Sequence, residues 1–131
     1  MADRFEDHRG VIQDLPLNPL LKLFSSVPID AVTHISTVKG GVRGNHVHHR
    51  TTQWTYILSG RMLVAGNHVT ANGGALEFGP GAMIAEPAGI PHAWQALEDT
   101  TVLVFTRGPR SGEAYESDTE RLEVPLIEPA V

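Results

Sequence analysis

Apolar and polar positions alternate along this chain in short runs, and no run is long. Residues 29–38, Ile-Asp-Ala-Val-Thr-His-Ile-Ser-Thr-Val, are rich in β-branched side chains and read as a strand. With a period of two, Val32, His34, Ser36 and Val38 share one face, and Thr33, Ile35 and Thr37 share the other. Both faces mix polar and apolar residues, so the pattern leaves the inward one open. From residue 53, Trp54, Tyr56 and Leu58 alternate with Gln53, Thr55 and Ile57, which gives a bulky face and a smaller, more polar one. Trp54 and Tyr56 therefore read as core or as a subunit interface. Further strands are predicted at 10–15, 61–65, 75–78, 83–86, 92–97 and 100–106, the last being the most strand-like run in the chain.

Thirteen glycines and nine prolines punctuate these runs. Gly40-Gly41 reads as a turn, Ser59-Gly60 as a hairpin turn, Gly66-Asn67 as another turn, and 68–74 as turn-rich. Residues 17–24 are ambiguous between one helical turn and an irregular edge, because Pro16 and Pro19 exclude a long regular element. Residues 1–9 are polar and read as a loose segment. Residues 107–131 read as a polar tail with one helical turn at 116–121. No solenoid repeat and no low-complexity stretch interrupts the chain. About nine short strands without a long helix predict an all-β domain, a closed antiparallel barrel or jelly roll. Closure removes free sheet edges and leaves an interior where inward side chains can meet.

Composition narrows the partners. The 131 residues make about one domain, and 41% hydrophobic content is enough for a core. A net charge of −5 and a pI near 5.7 argue against a nucleic-acid surface, which needs clustered Lys and Arg. No apolar run approaches the ~18 residues of a membrane span. The charged start, Met-Ala-Asp-Arg-Phe-Glu-Asp-His, does not read as a signal peptide. The absence of cysteine excludes disulfides and thiolate metal sites, and cytoplasm is the default expectation.

The candidate chemistry lies in two stretches. His46 and His48 are two apart, so on a strand both imidazoles share a face. Gln53 opens the next strand, and if that strand is the antiparallel partner its side chain converges on the pair. Pro87, Gly89 and Pro91 form a turn leading into His92. His46, His48, Gln53 and His92 are thus candidate ligands for a divalent transition metal such as Zn, Fe, Mn or Ni. The alternative is a set of hydrogen-bonded polar residues in a barrel mouth. A shared ion requires the His92 imidazole to lie within roughly 8 Å of the other two, given bonds of ~2 Å. Of the remaining histidines, His49 has the opposite strand parity and reads as a surface residue, while His8 and His68 read as solvated. His34 either lines the cavity or is a satisfied core or surface residue. Arg43, just before the ligand strand, is a candidate for binding an anionic substrate or a solvated loop residue. Trp94 shares parity with His92 and is either a cavity wall or core.

These stretches resemble the two cupin motifs, G-x5-H-x-H-x4-E-x6-G and G-x5-P-x-G-x2-H-x3-N. Gly40, His46, His48 and Gly60 match the first, with Gln53 in place of Glu. Gly81, Pro87, Gly89 and His92 match the second, with Ala96 in place of Asn. The resemblance implies a double-stranded β-helix, the jelly-roll barrel of the cupins, and suggests a homodimer. Arg43-Gly-Asn-His-Val-His also looks like the R-G-x-H-x-H core of small cupins of sugar-nucleotide metabolism, namely dTDP-sugar ketoisomerases and cupin domains of capsule-sugar reductases. Tyr115-Glu-Ser-Asp-Thr-Glu-Arg looks like the Y-x-x-D-x-x-R ending of the ketoisomerases.

Three functions follow from this resemblance. The first is a metal-binding enzyme acting on a small carbonyl or hydroxyl compound such as a sugar derivative, by isomerase, epimerase or lyase chemistry. The second is a metal-independent ketoisomerase or epimerase in which His46 and His48 move protons. The third is a non-catalytic small-ligand module.

Overall fold

The computed structural model describes residues 4–15, 29–109 and 112–129. The ambiguous stretch at 17–24 lies outside the described residues. Among these residues eleven strands and one short helix follow in order: β1 (Arg4–Asp7), β2 (Gly10–Leu15), β3 (Ala31–Thr37), β4 (Val42–His48), β5 (Thr52–Ser59), β6 (Met62–Ala65), β7 (Ala75–Phe78), β8 (Met83–Glu86), β9 (His92–Ala96), β10 (Thr100–Arg107), α1 (Gly112–Asp118) and β11 (Thr119–Arg121). No helix among the described residues is long and apolar enough to cross a membrane.

The strands form two antiparallel sheets, ordered β1-β2-β3-β10-β5-β8 and β11-β4-β9-β6-β7. This is the all-β jelly-roll expected from the strand pattern. Between the sheets, Ile35, Ile57, Ile84, Val102 and Val104 from the first pack with Met62, Val64, Trp94 and Ala96 from the second. Ile57 and Val102 are wholly buried, each stabilising the fold by about 1.5–3 kcal/mol. The face of β3 that the pattern left open is settled, because Thr33, Ile35 and Thr37 point inward. Trp54 and Tyr56 alternate with the inward Thr55 and Ile57, and both are half-buried.

Two local expectations are corrected. Ser59-Gly60 is not a hairpin turn. β5 pairs with β10 and β8, whereas β6 pairs with β9 and β7, so this corner carries the chain from one sheet to the other. The corner is held by the Thr100 hydroxyl, which accepts from Arg61 N at 3.2 Å and donates to Arg61 O at 3.0 Å. Gly60 has φ +92°, and a Cβ there would lie 2.5 Å from the Asp99 carbonyl, so the corner requires glycine.

The second correction concerns residues 4–9, which are not loose. β1 pairs with β2 from Arg4 opposite Gln13 to Asp7 opposite Gly10. The segment is polar because backbone bonds and an ion pair hold it, not apolar packing. Asp7 accepts from Arg9 N and Arg9 Nε, both at 2.9 Å. Hydrogen bonding from the Arg9 side chain outweighs burial and, with the Arg9 backbone bond and the nearby Arg9 and Arg43 charges, pulls the Asp7 carboxyl down to about 2. A depressed folded-state value means that this group stabilises the fold above the ordinary carboxylate range. That stability is lost as pH falls through about 2. Asp7→Asn should therefore lower stability at neutral pH by up to about 2 kcal/mol and narrow its difference from the parent as the medium is acidified from pH 5 to pH 2. Chemical denaturation across that range measures it.

Candidate metal centre

The centre is built on β4 and β9. Their pairing carries an irregularity between Gly44 and His46, where Gly44 (φ +90°) and Asn45 (φ +58°) are both left-handed. A Cβ at Gly44 would stand 2.9 Å from the His92 carbonyl, so glycine lets the two strands approach closely. Beyond this bulge His46 is the direct cross-strand partner of His92, and His48 follows two residues on along the same face.

The three rings converge. Centroid separations are 4.4 Å for His46–His48, 4.8 Å for His46–His92 and 5.4 Å for His48–His92. One ring nitrogen from each lies within 4.8 Å of the others. The predicted convergence of three histidines is therefore present, well inside the separation that a shared ion demands.

The turn before His92 is tied to the end of β4 and the start of β5. Gly89 N donates to the His48 carbonyl at 2.7 Å, and Ala88 N donates to Thr52 Oγ1 at 3.2 Å. The Pro-x-Gly turn thus sets the height at which β9 starts, and with it the position of the His92 ring.

His48 is 2% exposed and is oriented from the C-terminal side. Thr119 Oγ1 donates to the Tyr115 carbonyl at 2.9 Å, so at 3.1 Å from His48 Nδ1 it acts as an acceptor. His48 then carries its hydrogen on Nδ1 and keeps a lone pair on Nε2, the tautomer a metal ligand needs. Behind it sits Asp118, wholly buried, with Oδ2 3.9 Å from His48 Nδ1. Asp118 accepts from Thr51 Oγ1 at 2.5 Å and from Arg50 N at 2.6 Å. Burial pushes its pKa up, but these bonds, the Arg50 side chain and the charge of His48 together hold it below the usual carboxylate range. The tail segment 112–121 is therefore folded against the histidine strand, with Thr119 paired to His48 and Arg121 to His46.

A cavity of about 790 Å³ opens over the trio, lined among others by Arg43, Gln53, Glu86, Trp94 and Tyr115. The donor set suits a divalent transition ion, since it offers three imidazoles, one fixed in tautomer, on the wall of a partly apolar cavity.

The family model described as Cupin matches residues 29–119, well over half of the chain. The chain is a cupin. No match is found among curated proteins. Solved structures resembling this cupin include the capsular polysaccharide assembling protein CapF from Staphylococcus aureus, at 21% identity and TM-score 0.71, covering 95% of this chain and 33% of that one. An oxalate decarboxylase variant from Bacillus subtilis matches at 25% identity and TM-score 0.66, covering 92% of this chain and 30% of that one. The chain spans about a third of the length of these structures.

The other predicted site residues fall into two groups. Arg43 is 7% exposed and lines the cavity of this cupin. Its Nε donates to Thr37 Oγ1 at 2.8 Å and its terminal nitrogen to the Ser36 carbonyl at 3.3 Å. Among the described residues no carboxylate forms an ion pair with it. Burial first, then the charge of Arg9, lowers its pKa to about 10, while Asp7 opposes the change. Trp94 serves as both core and cavity wall, so the two readings of it are compatible. His34 does not line the cavity, because it alternates with the inward Thr33 and Ile35 and faces the other way. His49 points outward, 3.5 Å from Glu120.

His8 and His68 depart from the solvated reading. His8 is exposed but lines the cavity at its mouth, brought there by the β1–β2 turn. Both ring nitrogens of His68 are buried, with the ring centroid 6.2 Å from that of His92. Burial lowers its pKa, opposed by Glu86 and aided by His92. The turn-rich stretch folds back through Gly66 N to the Gly74 carbonyl at 3.2 Å and tucks the ring against Gly66.

Glu86 was not legible as a site residue in this cupin's sequence. It is 5% exposed, accepts from the Thr55 hydroxyl at 2.6 Å, and places Oε2 3.3 Å from His92 Nε2. Its signal was its place in the motif, immediately before Pro87 and on the inward parity of β8 with Ile84.

Proposed function

We propose that this cupin is a metal-dependent enzyme acting on a small carbonyl or hydroxyl compound that carries an anionic group, a sugar or sugar-nucleotide derivative, by isomerase, epimerase or lyase chemistry. The observation that carries the reading is the convergence of His46, His48 and His92 within 4.8 Å. The manganese centres named for a Bacillus subtilis oxalate decarboxylase, 25% identical over 92% of this chain, support a metal on this scaffold. When bound, the ion would act as a Lewis acid on a substrate oxygen.

The chain's own residues account for binding and orientation. Arg43 is a buried guanidinium facing a cavity without a carboxylate ion pair among the described residues, and an anionic substrate group would satisfy it. Trp94 and Val104 give the cavity an apolar wall that excludes water from one side. His46, the least buried of the trio, is the donor open to the substrate side. Elemental analysis of protein purified without added metal should find about one equivalent of ion, or uptake of one on titration. Less than roughly a tenth of an equivalent with no uptake rejects the reading.

A second reading is supported by the packing of Tyr115, whose ring lies 5.7 Å from that of His48, with Asp118 beneath. In it, His46 and His48 shuttle a proton beside a sugar ketone without a metal. Turnover that persists in chelator and disappears in His48→Ala would favour this second reading over the first.

A further inference from the structure

Glu86 is a buried carboxylate 3.3 Å from His92 that the cupin motifs do not assign. We propose that Glu86 is the anionic ligand of this centre, delivered from β8 in place of the residue at 53 on β5. The inference rests on the metal reading above and adds to it the identity of the charged donor.

The register makes the exchange possible. Gln53 and Glu86 are direct partners across the β5–β8 ladder. Side chains opposite one another on adjacent strands stand with Cβ atoms about 4.5–5.5 Å apart on the same face. A carboxylate moved across one rung therefore stays on the same face, and both residues line the same cavity. The neutral amide at 53 and the acid at 86 read as one functional charge that has changed strands.

The contacts agree. The Thr55 hydroxyl donates to Glu86 Oε1 at 2.6 Å and fixes the plane of the carboxylate, as outer-shell partners do for ligands. Oε2 then lies 3.3 Å from His92 Nε2. Two donors bound to one ion at ~2.1 Å, with an angle between about 90° and 109°, stand roughly 3.0–3.4 Å apart. His92 Nδ1 is 3.3 Å from the Ile90 carbonyl, and with the ring hydrogen there Nε2 presents a lone pair on the Glu86 side. In that tautomer Nε2 and Oε2 are two electron-pair donors 3.3 Å apart, an arrangement that a cation between them satisfies. Charge points the same way. Among the described residues no Lys or Arg pairs with Glu86, and a buried carboxylate without a cation costs several kcal/mol. Three neutral imidazoles would leave the full charge of a divalent ion uncompensated, and Glu86 offsets half of it.

Competition titrations with Zn(II) and Co(II), together with the visible spectrum of the Co(II) form, test the assignment on four proteins: the parent, Glu86→Gln, Gln53→Glu and the double variant. Glu86→Gln should weaken binding by more than roughly 100-fold, beyond the 10–100-fold that follows loss of an orienting partner, and should alter the Co(II) bands. The double variant should recover most of the affinity, because the charge returns on the opposite rung. Thermal unfolding of the metal-free proteins controls for folding. If Glu86→Gln does not fold, Glu86→Asp, which keeps the charge but shortens its reach, should weaken binding and shift the bands in the same direction. Parent-like affinity and bands in Glu86→Gln, or an unchanged spectrum with no recovery in the double variant, would overturn this inference alone. A parent protein that takes up neither ion would overturn the metal reading and this inference with it.

Discussion

Replacing His92 with alanine is expected to lower affinity for Zn(II) or Co(II) by roughly 100-fold or more while leaving the jelly roll folded. A structural zinc site of four ligands gathers about 10–16 kcal/mol, so each donor accounts for several kcal/mol. His92 is the donor that joins the two motifs, since it faces His46 across the ladder and is the trio's contact with Glu86. Its loss leaves His46 and His48 on a single strand with no donor from β9. The fold should tolerate the change at a cost of about 1–2 kcal/mol, because one ring nitrogen meets the nearby Ile90 carbonyl and a single contact, to Glu86 on β8, reaches another strand. His49→Ala serves as the control. It directly follows His48 past the end of β4, points outward, and should leave the titration unchanged. Isothermal titration of metal-free protein reads both.

The largest stability effect is expected at Asp118. Asp118→Ala should cost about 3–4 kcal/mol, read as a drop in denaturation midpoint at constant slope. The carboxylate is wholly buried and collects the Thr51 hydroxyl, the Arg50 backbone N–H and the Arg50 side chain. Removing it takes the acceptor from the Arg50 N–H and leaves the Thr51 hydroxyl only the Pro109 carbonyl, and a lost partner for a buried donor costs about 1–3 kcal/mol. The change also reaches the centre. Asp118 precedes Thr119, whose hydroxyl fixes the His48 tautomer, so metal affinity should fall by about tenfold even though no donor atom is lost. Arg50→Ala should cost much less, because its side chain is mostly exposed and its backbone N–H survives the substitution.

Much of the centre was legible in the sequence because it depends on parity. His46 and His48 two apart on a strand can only share a face, and the glycines and prolines before His92 mark where the next strand begins. β2, β7 and β8 follow the predicted bounds for the same reason, since alternating runs between turn formers leave little freedom. What was missed depends on register and on which sheet a strand joins. Ser59-Gly60 has the composition of a hairpin turn, and only the pairing of β6 with β9 reveals a corner. Glu86 reads as the end of a strand until Gln53 is set opposite it. His68 lies in a polar, turn-rich stretch, and nothing local says that the loop folds back over Gly66. Residues 4–7 carry no apolar pattern because hydrogen bonds and the Asp7–Arg9 pair hold them.

The pairing of β11 with β4 joins residues more than seventy positions apart, and Asn45 extends the seam. Its side chain accepts from Leu126 N at 2.8 Å and donates to the Ile127 carbonyl at 2.9 Å. During synthesis, then, all three imidazoles leave the ribosome well before the hydroxyl that orients one of them. An ion captured by that nascent chain would meet His48 with its tautomer still unset, and tight loading must await arrival of the last strand.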